Sequence, residues 1–133
     1  MLRGRFISAG CAYALIVYFF GFAFGTVRVL LVVPRLGETL AVLLEAPFIL
    51  FISWKVARWS IARFSVDNHP AARTLMGGVA FAVLMIAEFG VAAVVFGRSV
   101  QEQVYAYGSV PGIIGLAAQV CFATFPALQI RRT

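Results

Sequence analysis

Charge is scarce in this chain, and so are most of the side chains with which soluble enzymes do chemistry. Only 12% of its 133 residues are charged, 11 basic and 5 acidic, where an ordinary soluble domain carries about a quarter. His69 is the single histidine, which excludes a bis-histidine haem or a histidine-built metal centre within one chain. Cys11 and Cys121 lie far apart in apolar runs and outside any CxxC spacing. They read as buried free thiols, not as redox or zinc ligands. One lysine, Lys55, beside ten arginines points to a GC-rich bacterial genome and to no function. P-loop, GxSxG, HExxH and Rossmann glycine patterns are all missing, so an enzyme is not expected, nor a cofactor, nor a metal. An intramembrane enzyme acting on a lipid would rest on the glutamates alone.

Apolar sequence is what the chain has in abundance. Hydrophobic residues make up 62% and the mean hydropathy is +0.97, the composition of an integral membrane protein. Four apolar stretches, about 7–33, 38–59, 71–97 and 110–130, each reach the roughly 20 residues that a 30 Å hydrocarbon core needs. They predict an all-α bundle of four transmembrane helices forming one domain over residues 1–133. Arg3 and Arg5 precede the first stretch as in a signal peptide, but the run continues to Val33, too long for an h-region, and is read as an uncleaved helix. Pro34-Arg35-Leu36-Gly37 should end that helix in a tight turn, and Glu38 and Thr39 suit the start of the next. Asp67-Asn68-His69-Pro70 and Gly108-Ser109-Val110-Pro111 each offer an N-cap followed by proline in the first helical turn.

Basic residues set the orientation. Arg3, Arg5, Lys55, Arg58, Arg63, Arg73, Arg131 and Arg132 fall on one side, and Arg28, Arg35 and Arg98 towards the other. The positive-inside rule then places both termini in the cytoplasm, as in a multi-pass protein of a bacterial inner membrane. The formal charge of +6 is carried by short segments between apolar runs, which suits an anionic lipid surface and not nucleic acid. Trp54, Lys55, Arg58, Trp59 and Arg63 read as an interfacial collar, with tryptophan at the headgroups and the cations snorkelling to phosphate. A docking surface for a partner is the sharper alternative. The outer loop, with Gln101, Glu102, Gln103, Tyr105 and Tyr107, is expected to extend the third helix along the membrane surface.

Arg28, Glu45 and Glu88 interrupt three of the apolar stretches. A charge at membrane depth costs roughly 3 kcal/mol or more unless it is paired or faces a wet cavity, and it marks a functional site by default. At a rise of 1.5 Å per residue, Arg28 lies roughly 9 Å below the end of its helix, Glu45 roughly 10 Å, and Glu88 and Gln119 roughly 13 Å. All four form one layer in the outer half of the bilayer. Helical periodicity puts Arg28 on a stripe with Gly21 and Gly25, and Glu45 with Glu38 and Ala41. It groups Glu88 with Gly77, Phe81 and Leu84, and Gln119 with Gly112, Gly115, Phe122 and Pro126. Small residues let helices approach, so these stripes should face inward.

One arginine can neutralise one of the two carboxylates, so the layer is expected to hold about one proton shared between Glu45 and Glu88. Pro47 and Pro126 are expected helix kinks that free the carbonyls of Leu43 and Phe122. A buried polar network can also serve only to hold helices in register. The surplus of ionisable groups favours a transport or solute-binding and ion-binding protein, proton-linked through Glu45 and Glu88. Arg28 would be the counter-ion and Gln119 a hydrogen-bonding partner. The alternative is a non-catalytic accessory subunit of a larger membrane complex. Expected partners are the lipid bilayer and either a second copy or a membrane partner protein.

Overall fold

The computed structural model describes residues 2–66, 68–95 and 97–129, with side chains from residue 5 onward. Asp67, Ile130, Arg131, Arg132 and the side chain of Arg3 therefore lie outside the described residues, and with them part of the basic count and one expected cap. Most of the described residues lie in helices. In order these are α1 (Leu2–Val27), a π-helical segment (Arg28–Val32), α2 (Val33–Leu36), α3 (Glu38–Phe64), α4 (Pro70–Val94), α5 (Val100–Ala106) and α6 (Val110–Leu128). Four continuous spans, Arg5–Leu36, Glu38–Phe64, Pro70–Val94 and Val110–Leu128, are long and apolar enough to cross a membrane, as in a multi-pass membrane protein.

The boundaries differ from the expected ones for local reasons. The first helix does not stop at Pro34 but runs through it to Leu36, the π-helical turn just before it accommodating the ring and the missing N–H. The turn comes at Gly37, whose φ of 85° is open to glycine at little cost. The second span continues past Trp59 to Phe64 and ends at Ser65 in a left-handed conformation. At the start of α4 the capping side chain is His69, whose Nδ1 accepts from the Ala71 N–H at 3.1 Å. Ser109 caps α6, accepting from the Gly112 N–H at 3.1 Å.

α1 packs on α3 and α4, and α6 packs on the same two helices. The tight core lies towards the end where α1 begins and α6 finishes. It holds Ala9, Tyr13, Ala14 and Val17 of α1, Ala57 of α3, Met76, Ala80 and Leu84 of α4, and Phe122 of α6. Apolar burial gives helices no drive to associate within lipid, so close packing and interhelical hydrogen bonds must hold them. Both are present. A Cβ added at Gly77 would fall 1.9 Å from the Ala123 carbonyl oxygen, so α4 and α6 touch backbone to backbone there.

Beside that crossing, Pro126 leaves the Phe122 carbonyl without its helical donor. The Tyr13 hydroxyl donates to that carbonyl at 2.7 Å, and the two rings stack with centroids 4.2 Å apart. Arg73, counted from the sequence among the basic residues of one side, is buried and donates from Nη1 to the Pro126 carbonyl at 3.3 Å. Tyr13→Phe keeps the ring but orphans the Phe122 carbonyl. It is expected to cost about 1 kcal/mol, read as a lower midpoint of unfolding in detergent.

Candidate functional site

Away from the core the helices separate around a cavity of about 670 Å³. Val17, Leu84 and Phe122, all buried, lie at its core end, and Glu38, Tyr107 and Ser109 line it at the opposite end of the helices. Gly21 and Gly25, expected to bring helices together, do something else. Both line this space, where an added Cβ would come no closer than 3.9 Å to Ile49 at Gly21 and 3.7 Å to Arg28 at Gly25. At Gly115 it would meet nothing within 4 Å. Missing side chains at these three positions make room, while close approach occurs at Gly10, Gly77 and Gly112.

Arg28, Glu45, Glu88 and Gln119 all line the cavity. Arg28 opens the π-helical segment, whose wider turn is closed by the Val33 N–H donating to the Arg28 carbonyl five residues back. Proline at position 34 supplies no N–H and crowds the carbonyl of Leu30, so the backbone expands just before it. Such one-turn expansions recur at functional sites. From it, Arg28 Nη1 donates to Glu45 Oε2 in an ion pair, with the two side chains 29% and 14% exposed. Arginine and glutamate thus neutralise each other one to one.

Glu88 has different partners. Gln119 Nε2 donates to its Oε1, and the Tyr107 hydroxyl donates to its Oε2 at 2.7 Å. Both donors are neutral, and both carboxylate oxygens are engaged. The polar layer therefore consists of two units, an ion pair between the first two spans and a carboxyl held by an amide and a phenol. Gln119 Oε1 is buried and has no hydrogen-bond partner among the described residues.

Tyr107 escaped the sequence reading, which placed it at the membrane interface. The loop from Arg98 to Ser109 does not extend α4. It forms the separate short helix α5, opened by a capping box in which Ser99 Oγ accepts from the Glu102 N–H at 3.1 Å and Glu102 answers to the Ser99 N–H. The Ser-x-x-Glu signature was present in the sequence and could have found it. Tyr107 lies at the end of α5, where its hydroxyl meets Glu88 and its ring lies 6.2 Å from that of Phe89. Burial, and next the hydrogen bond to Glu88, push the hydroxyl well above the ordinary tyrosine range. It stays protonated, a donor at any physiological pH.

The remaining candidates lie elsewhere. α3 runs unbroken through Pro47, which is exposed and does not line the cavity. Pro126 is buried at the core end. In the collar, Lys55, Arg58, Trp59 and Arg63 are exposed. Trp54 is half-buried against Phe125, ring centroids 5.2 Å apart, and its carbonyl accepts from Gln129 Nε2 at 2.9 Å. Trp54 thus belongs to the packing between α3 and α6. No family model, curated protein or solved structure matches this chain.

Proposed function

We propose that this is a transport or solute-binding protein of the bacterial inner membrane, with both termini cytoplasmic, and that the cavity is its binding site. One observation carries the reading: ionisable and amide side chains from four apolar spans converge on one space large enough for a small organic molecule. A network needed only for register would be packed shut, since an empty volume forfeits contacts on every wall. In this reading Glu88 carries the exchangeable proton or ligand, Gln119 and Tyr107 hold its carboxyl in place, and the Arg28–Glu45 pair forms the opposite polar wall. One chain supplies all of these polar groups that line the cavity. Passage to the cytoplasm requires the Tyr13–Phe122 and Arg73–Pro126 contacts to open, or a dimer that offers another route.

Proteoliposomes with an entrapped pH-sensitive dye test this when panels of charged and neutral small solutes are added outside. Solute-driven proton movement above that of empty liposomes is expected, and Glu45→Gln with Glu88→Gln together should abolish it. Movement that survives the double substitution would sink the proposal. A stable heterologous partner on native purification, with no solute response, would favour an accessory subunit.

A further inference from the structure

The charges around the cavity narrow what it can hold. Three carboxyl groups, Glu38, Glu45 and Glu88, and two guanidinium groups, Arg28 and Arg98, line it, leaving an excess of one negative charge when the exchangeable proton is off. Arg28 is taken by Glu45, and Arg98 Nη1 donates to Gln103 Oε1 at 3.5 Å. No ion pair involves Glu88 among the described residues, and its donors are an amide and a phenol. A complementary ligand therefore brings one positive charge to Glu88.

The unpartnered Gln119 Oε1 adds a second requirement. It belongs to the amide that already touches Glu88, so the charged ligand atom should also donate hydrogen bonds. Walls of Val17, Leu50, Leu84 and Phe122 suit an apolar body, and the Tyr18 and Phe22 rings can face a cation. A bare metal ion fits poorly: hard cations want about six oxygens, and the described residues contain no cluster of three or more His, Cys, Asp or Glu able to hold one. An anion would face the excess negative charge, and the Arg28 guanidinium is already paired to Glu45.

We propose that the cavity binds an organic ammonium ion with an apolar body, its nitrogen seated between the Glu88 carboxylate and Gln119 Oε1. This rests on the solute-binding reading above and names the ligand class of the same site. The Tyr107 hydroxyl turns from Glu88 or shares it as the ammonium enters. The same chemistry occurs in soluble arylalkyl amines and in the headgroup of phosphatidylethanolamine.

The test is calorimetric titration of the full chain in phosphatidylglycerol nanodiscs with three probes of like shape: phenethylammonium, phenylacetate and phenylethanol. Phenethylammonium should bind most tightly, and Glu88→Gln should weaken it about thirtyfold or more, as loss of a desolvated charge partner does. Glu88→Asp, which keeps the charge, should keep the preference for the cation and guards against misfolding of the neutral variant. Adding phosphatidylethanolamine to the nanodiscs separates the sources: competition with the probe assigns the site to the lipid headgroup, and no competition to a soluble amine. Equal binding of phenylacetate or phenylethanol, or indifference to Glu88→Gln, overturns the ammonium assignment and leaves a solute cavity standing. If none of the three probes binds, both the assignment and the solute-binding reading fall.

Discussion

Gly77→Ala is expected to destabilise the protein by about 3 kcal/mol or more, at the upper end of what one added carbon does in a packed interior. The new Cβ would lie 1.9 Å from the Ala123 carbonyl oxygen and 3.1 Å from its carbon. Those are backbone atoms, so no side chain can swing aside, and α4 and α6 must separate. The contacts next to this crossing go with it. Arg73, one turn before Gly77, reaches the Pro126 carbonyl, and Tyr13 reaches that of Phe122. The adjacent glycine is an internal control. A Cβ at Gly78 meets nothing within 4 Å on the exposed face of the same helix. Gly78→Ala should be neutral or stabilise by up to about 1 kcal/mol through helix propensity. Unfolding in mixed micelles, followed by far-UV circular dichroism, measures both. Two variants that unfold alike would show that the crossing is looser than described.

Arg28→Met should rank second. It leaves Glu45 half-buried without its cation, and breaking a buried pair by removing one partner costs about 3–5 kcal/mol. The pair is partly exposed at the cavity wall, so about 2 kcal/mol is the expected loss. Replacing both partners, Arg28→Met with Glu45→Leu, removes the uncompensated charge along with its partner and should recover most of that stability. The double-mutant cycle isolates the coupling because the two side chains touch. Should the double variant be no more stable than Arg28→Met alone, the ion pair would not be the reason for the loss. The recovered double variant should still fail to drive solute-linked proton movement, since it lacks one polar wall of the site. Stability and function then part company in one experiment.

Much of this was legible in the chain. Apolar runs of the right length marked four helices, because a helix that must satisfy every backbone group internally needs about 20 apolar residues to cross a hydrocarbon layer. Periodicity placed Glu38 and Glu45 on one face of α3 and Gly112, Gly115, Gln119 and Phe122 on one face of α6, and these residues line the cavity. Turn chemistry located the start of α6 at Ser109. Other features were out of reach or misread. Arg73 entered only the count of basic residues by side, because its sequence position lies one turn into α4 and nothing local reveals a carbonyl of α6 beside it. Gly21 and Gly25 looked like a contact surface, because a missing side chain serves close approach and open space equally well. Tyr107 depended on α5 being a separate helix, which the capping box at Ser99 encodes but hydropathy hides.

Residue order alone therefore marked the four long helices and which residues share a face within each, since length and face both follow from the repeat of a single helix. Folding in three dimensions chose the partners. The π-helical segment that carries Arg28 packs on α3, so Arg28 meets Glu45, and Glu88 is left to Gln119 and Tyr107. Whether a glycine stripe closes on a neighbour or opens onto a cavity was likewise settled by the separation of helices far apart in the chain, a distance no local repeat contains.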